Sequence, residues 1–226
     1  MAACGGARDL RRPIPHDRGV RTPQRNHSLR HGFAALELVA LAPTPPSTGD
    51  IAERLELHKS TCSRLMLTLA EDGYVERVGR GRWRAHLGLF AIGAFGLRAS
   101  PLAKAAPLMG ALIAATGCVV ALGFVWNRQV VYLFHSNEPT VMRGFGNVYP
   151  VDESSIGRLL AAQRRRRALI EHPDGRFSLA VPVEGTTARL GLALAGAKEA
   201  LTEANERLLL ACAGEIERLL AAPPPG

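Results

Sequence analysis

Gly79-Arg80-Gly81, set between two short runs of strand-forming residues, restricts most strongly what this chain can fold into. A glycine on either side of Arg80 supplies the positive φ of a tight hairpin, pairing residues 74–78 with 82–86. Three helical segments lead directly into it. Leu29, Phe33, Leu36 and Ala40 recur at helical spacing and predict the buried face of a first helix, which Pro43, Pro45 and Pro46 must end. Ser47 then caps a second helix with Asp50 three residues on, and Ile51, Ala52 and Leu55 form its buried side. After a turn at residues 56–59, a third helix spans 60–71 and stops at Gly73. Three helices and a hairpin over residues 26–86 predict a winged helix-turn-helix domain.

The third helix carries the strongest chemical signal. Cys62, Leu65, Met66 and Leu69 share one face, while Ser60, Arg64, Leu67 and Thr68 lie opposite with Ser63 at the edge. Short hydroxyl side chains let a backbone approach phosphates, and one arginine can form a bidentate pair with a guanine edge. The predicted DNA contacts on this helix are Lys59, Ser60, Thr61, Ser63, Arg64 and Thr68. In the hairpin, Arg77, Arg80, Arg82 and Arg84 fall within an acid-free run of residues 77–84, suited to lie along a sugar-phosphate backbone.

Residues 87–99 are apolar at helical spacing and predict a connector helix that packs against something. Beyond it the pattern predicts a helix from Pro101 to about 116, strands at 119–125 and 129–135, and a loop over 143–152. A helix at 154–170, strands at 177–183 and 189–194, and an amphipathic helix at 198–222 complete an α+β order. Residues 105–126 hold no charge over a bilayer-length stretch, but Pro107, Gly110, Gly117 and Gly123 interrupt it, and a buried helix followed by a core strand accounts for both halves.

With 226 residues, 47% hydrophobic and 21% charged, the chain can bury a core in one large or two modest domains. Half of the net charge of +8 comes from residues 1–25, where six arginines face two aspartates among glycines and prolines, which reads as a disordered basic arm. That arm has no apolar core of a secretory signal; its arginines allow a transit peptide, but serine is scarce. Cys4, Cys62, Cys118 and Cys212 form neither a disulfide framework nor a zinc motif, and a cytoplasmic location fits. His27 and His31 stand one helical turn apart without a third metal ligand, and a redox role for the cysteines has only apolar surroundings to support it. No Ser/His/Asp order, phosphate-binding loop or carboxylate pair is present, so neither an enzyme, a metal nor a cofactor is expected.

Taken in order, IAERLEL, HKSTCSRLMLTL, DGYVERV and GRWR running into LGLFAIG resemble the N-terminal domain of the IclR-type family of bacterial transcriptional regulators. Residues 107–133, YPVDESSIGRLLAA at 149–162, and LAVPV with ARLGLALAG resemble that family's GAF-like effector-binding domain, here over 100–226. The resemblance implies a homodimer or dimer of dimers, a palindromic operator and a small-molecule effector. It assigns the effector site to Val119, Ala121, Tyr149, Asp152, Ser154, Ser155, Ser178, Ala193 and Ala195. Two departures stand out. Residues 163–179 are shorter than the family pattern, as if a helix and strand were deleted. Of the last-strand positions that carry hydroxyls or thiols in acid-binding members, only Ser178 is polar here. Asp152 and Glu153 also occupy a helix start that an anion would use. The expected effector is therefore neutral or apolar, if the site is filled at all. The rival readings are a protein-binding adaptor that uses the winged helix and a small-molecule enzyme domain.

Overall fold

The computed structural model describes residues 26–138, 148–162, 165–184 and 189–221. The expected basic arm lies outside them, as does much of the loop before residue 148. The chain divides into two compact units, Met1–Leu97 and Arg98–Gly226.

In the first unit, α1 (His27–Leu41), α2 (Thr48–Arg54) and α3 (Lys59–Glu71) precede the hairpin of β1 (Val75–Val78) and β2 (Arg82–Ala85), and α4 (Leu87–Ala99) follows. Ser47 and Asp50 form both halves of a capping box at α2, and the Ser47 backbone N–H holds the Asp50 carboxyl below its ordinary pKa. Ala35, Val39, Ile51, Ala52, Cys62, Met66, Val75 and Trp83 make the core. The buried face of α1 corrects the periodicity reading: Leu29 and Phe33 are 57% and 60% exposed, while Ala35 and Val39 face inward. Apolar side chains ring this helix, so its packing partner, and not its spacing, chooses the buried face. The helices end where the sequence demands: Gly73 takes φ 76° after α3, and the hairpin glycines take φ 53° and 74°. The wing is tied down at its base, where the Trp83 backbone N–H donates to the Pro46 carbonyl at 2.9 Å.

The second unit opens with a single 3₁₀ turn, Pro101–Ala105, and α5 (Ala106–Thr116), which Gly117 ends at φ 64°. Its sheet comprises β3 (Val119–Trp126), β4 (Gln129–Ser136), β5 (Val148–Pro150), β6 (Ala168–Glu171), β7 (Arg176–Val183) and β8 (Leu190–Ala197). These are antiparallel, in the order β5-β4-β3-β8-β7-β6. α6 (Ser155–Ala161) lies between β5 and β6 in the chain, and α7 (Glu203–Ala221) follows a short turn at Lys198–Ala200. The two faces of the sheet serve two cores. Val120, Leu122, Leu192 and Leu194 pack with Met109, Ile113, Leu209 and Ile216 of α5 and α7. Ala121, Ala180 and Ala193, on the opposite face, pack with Ile156 and Leu159 of α6. The α+β class is borne out, with helices on both faces of a curled antiparallel sheet.

Two elements differ from expectation. The helix expected over 154–170 ends at Ala161, and Ala168–Glu171 is instead an edge strand paired with β7. Residues 148–150, expected as loop, pair with β4. Both strands are too short for alternation to reveal, and a tertiary partner decides them. The uncharged stretch of 105–126 divides between α5 and β3 as expected, and no helix among the described residues is long and apolar enough to cross a membrane.

Candidate functional site

The exposed face of α3 is built from its N-terminus upward. The turn before it passes through Glu56 at φ 55° and is closed by the Leu57 N–H donating to the Ala52 carbonyl at 2.9 Å. His58 caps the helix: its Nδ1 lies 2.8 Å from the Ser60 hydroxyl and accepts from the Ser60 backbone N–H at 3.4 Å. Cys62 and Met66, fully buried, clamp α3 onto α1 and α2. Lys59, Ser60, Thr61, Arg64, Leu67 and Thr68 are left exposed, with Ser63 half-buried at the edge. The Thr68 hydroxyl is committed to the helix itself, donating to the Arg64 carbonyl at 3.2 Å. Among the described residues nothing holds the Lys59, Thr61 or Arg64 side chains.

The four wing arginines separate into different roles. Arg80 stands at the exposed tip between the two positive-φ glycines. Arg77 places its guanidinium 6.0 Å from the centre of the Trp83 ring. Arg82 donates to the Pro45 carbonyl at 2.9 Å, fixing the wing to the loop before α2. Arg84 pairs with Glu76 at 2.6 Å, directly opposite it in the β1–β2 register. The run 77–84 contains no acid, as the sequence indicates, but the antiparallel register brings in Glu76 from just outside it. Among the described residues Arg80 is therefore the wing arginine held by no partner, while Arg82 and Arg84 are engaged with Pro45 and Glu76.

In the second unit, the expected effector residues gather around the α6 face of the sheet. Ser154 and Ser155, both buried, begin α6. Ser155 Oγ lies 2.6 Å from Ser178 Oγ, and Ser154 Oγ lies 3.0 Å from the Tyr132 hydroxyl while accepting from the Gly157 N–H at 3.4 Å. Ala121 and Ala193 pair across β3 and β8 beneath α6, and the Val119–Ala195 pair one row along is half-buried, as is Ser178 beside Ala195. Tyr149 is exposed on the edge strand β5, its ring 5.3 Å from that of Tyr132. Asp152 is exposed, and its carbonyl accepts from Arg158 Nε at 2.8 Å. An open depression of about 310 Å³ lies beside α6, lined by Val151, Asp152, Arg158, Ala161, Ala162 and Arg165, so of the expected effector residues it takes in Asp152 alone.

Tyr132 and His135 belong to this site and escape sequence reasoning. Strict alternation would put them on opposite faces. A β-bulge shifts the β3–β4 register, so Tyr132 stands opposite Gly123 and His135 opposite Ala121, and their rings stack at 5.2 Å and 7°. Burial holds the His135 imidazole below its ordinary pKa, hence neutral at pH 7. Elsewhere, the His27 and His31 rings are 6.5 Å apart, and no metal-binding group of three His, Cys, Asp or Glu exists among the described residues. Burial raises the Cys62 and Cys118 thiols and pushes Cys212 up to about 11, so all three are protonated at neutral pH.

The family described as the IclR helix-turn-helix domain matches residues 28–79, which include α2, α3 and β1. HTH-type transcriptional regulator BhcR from Paracoccus denitrificans is 30% identical over 160 residues, covering 67% of this chain and 57% of that protein, so the chain spans less than two thirds of that relative's length. The chain belongs to the IclR-type family. An IclR family transcriptional regulator from Brucella abortus superposes on this IclR-type chain with a TM-score of 0.69 at 22% identity, covering 88% of this chain and 94% of that one. An IclR homologue from Microbacterium hydrocarbonoxydans, in complex with 4-hydroxybenzoate, does so with 0.55 at 21% identity over 87% and 100%. Those two likenesses establish the shared fold.

Proposed function

We propose that this IclR-type chain is a transcriptional regulator of the cytoplasm, which binds a palindromic operator in double-stranded DNA as a homodimer or dimer of dimers and answers to a small-molecule effector. The observation that carries the proposal is Arg64, exposed and without a partner among the described residues, at the middle of a polar helix face whose opposite side is locked into the core, with Arg80 at the wing tip. The helix supplies base recognition and the wing supplies backbone attraction. Selection of bound fragments from a random-sequence duplex pool at moderate salt tests it. Enrichment of a common motif supports the proposal, whereas a protein-binding adaptor would retain no DNA.

Assembly rests on α4. No residue of that helix is buried, and Phe90 and Phe95 are 63% and 66% exposed alongside Leu87 and Ile92. So large an apolar surface on one helix calls for a partner, and a second copy of the helix supplies a matching one. Phe90→Asp and Phe95→Asp are expected to yield monomers with poor operator binding in sedimentation and binding assays. Unchanged dimers in both variants would place the interface elsewhere.

The effector is uncharged or apolar. The Ser154, Ser155 and Ser178 hydroxyls satisfy one another and Tyr132, the strands beneath are Val and Ala, and His135 is neutral. A carboxylate entering among these hydroxyls loses its hydration at a cost of several kcal/mol, because Arg158 and Arg165 line the open depression beside α6 and not the serine cluster. In a thermal-shift screen, phenols or aromatic hydrocarbons are expected to stabilise the protein. Saturable stabilisation by a compact carboxylate such as 4-hydroxybenzoate alone would contradict this.

A further inference from the structure

Leu67 interrupts the polar face of α3. The helix has six apolar side chains from Cys62 to Ala70; five of them, Cys62, Leu65, Met66, Leu69 and Ala70, pack in the core of the first unit. Leu67 does not, and is 46% exposed on the same face as Arg64 and Thr68. Its neighbour Thr68 spends its hydroxyl on the Arg64 carbonyl and so has no free donor to offer a base. A face flanked by Lys59 and Arg64 suits a polyanion, and in a major groove the apolar feature of a base edge is the C5-methyl group of thymine. Leu67 lies three residues beyond Arg64, about 4.5 Å further along the helix axis at 1.5 Å per residue. That rise is close to the roughly 3.4 Å spacing of successive nucleotides.

We propose that Leu67 is a specificity-determining residue that packs on the methyl group of a thymine next to the base pair read by Arg64. The inference rests on the DNA-binding reading of the same helix. It gives that reading a chemical content: one position of the operator is chosen by its methyl group and not by hydrogen bonding. Because Leu67 supports nothing in the core, Leu67→Ala leaves the fold intact, and an unchanged melting profile verifies this.

The test is a cycle between protein and DNA, using the full chain and the fragment enriched from the random pool. Each thymine in the fragment is replaced in turn by deoxyuridine, which removes only the methyl group, and affinities are measured at one fixed salt concentration. For the unaltered protein, at least one replacement is expected to weaken binding about four-fold, the worth of one methyl group taken out of water. Leu67→Ala is expected to bind the thymine fragment more weakly and to lose that sensitivity. Insensitivity of the unaltered protein to every replacement, or an equal penalty in Leu67→Ala, overturns the proposal. Failure of the pool to enrich any fragment would instead overturn the DNA-binding reading itself.

Discussion

Replacement of Trp83 by alanine is expected to unfold the first unit and abolish binding to operator and random DNA alike. Trp83 is 2% exposed and anchors three layers at once. Its ring closes the core formed by Val39, Ile51, Met66 and Val75, its Nε1–H donates to Thr48 Oγ1 at 2.9 Å, and its outer face carries Arg77. Truncating a buried tryptophan costs about 3–5 kcal/mol. A domain has only about 5–15 kcal/mol of stability in all, and one of this size lies at the low end. Trp83→Phe keeps most of the volume and forfeits mainly the bond to Thr48, about 1 kcal/mol. Hydrogen exchange of the α1–α3 amides separates the cases: protection should vanish in Trp83→Ala and persist in Trp83→Phe. Retained protection in Trp83→Ala would mean that the wing is not part of this core.

Gly157→Ala is expected to destabilise the second unit as severely as a core truncation, although it adds a single methyl group. A Cβ at this position would collide with the Val151 carbonyl oxygen and stand 2.7 Å from the Val151 Cα, and backbone cannot yield as a side chain can. Relief requires α6 to lift off the sheet, which pulls Ser155 from Ser178, Ser154 from Tyr132, and Ile156 from its seat on Gly191. Overpacking of this kind costs about 3 kcal/mol or more. The chain has two tryptophans, one per unit. With Trp126 replaced by phenylalanine, urea unfolding followed by Trp83 emission should keep its midpoint, while the transition seen by far-ultraviolet circular dichroism shifts to lower urea. An unchanged second transition would refute this packing of α6.

The first unit is legible in the sequence because its signals are local. The Ser47–Asp50 capping box, the proline stop after α1, the glycines of the hairpin and the two-faced pattern of α3 each act within a few residues, and each is found where expected. What is lost is whatever a distant partner decides. Leu29 and Phe33 follow helical spacing as well as Ala35 and Val39 do, and only α2, α3 and the wing determine which pair is buried. Arg84 is an unpaired wing arginine until the register puts Glu76 opposite it. In the second unit the same limitation extends to whole elements. Ala168–Glu171 continues a helical pattern until β7 recruits it into the sheet, and the bulge that brings His135 beside Tyr132 leaves no trace in alternation. The serines of the proposed effector site are legible as residues. Their mutual hydrogen bonds, which close the site upon itself, are not.

The central claim is that α3 reads base sequence while the wing supplies sequence-independent attraction. Its most direct test compares Arg64→Ala and Arg80→Ala, each titrated with the selected fragment and with random duplex over a range of salt concentrations. Arg64→Ala should lose about 1–3 kcal/mol on the selected fragment and little on random DNA, so that discrimination collapses. Arg80→Ala should weaken both DNAs alike and flatten the dependence of affinity on salt by about one phosphate contact. An equal loss on selected and random DNA for Arg64→Ala would contradict the account.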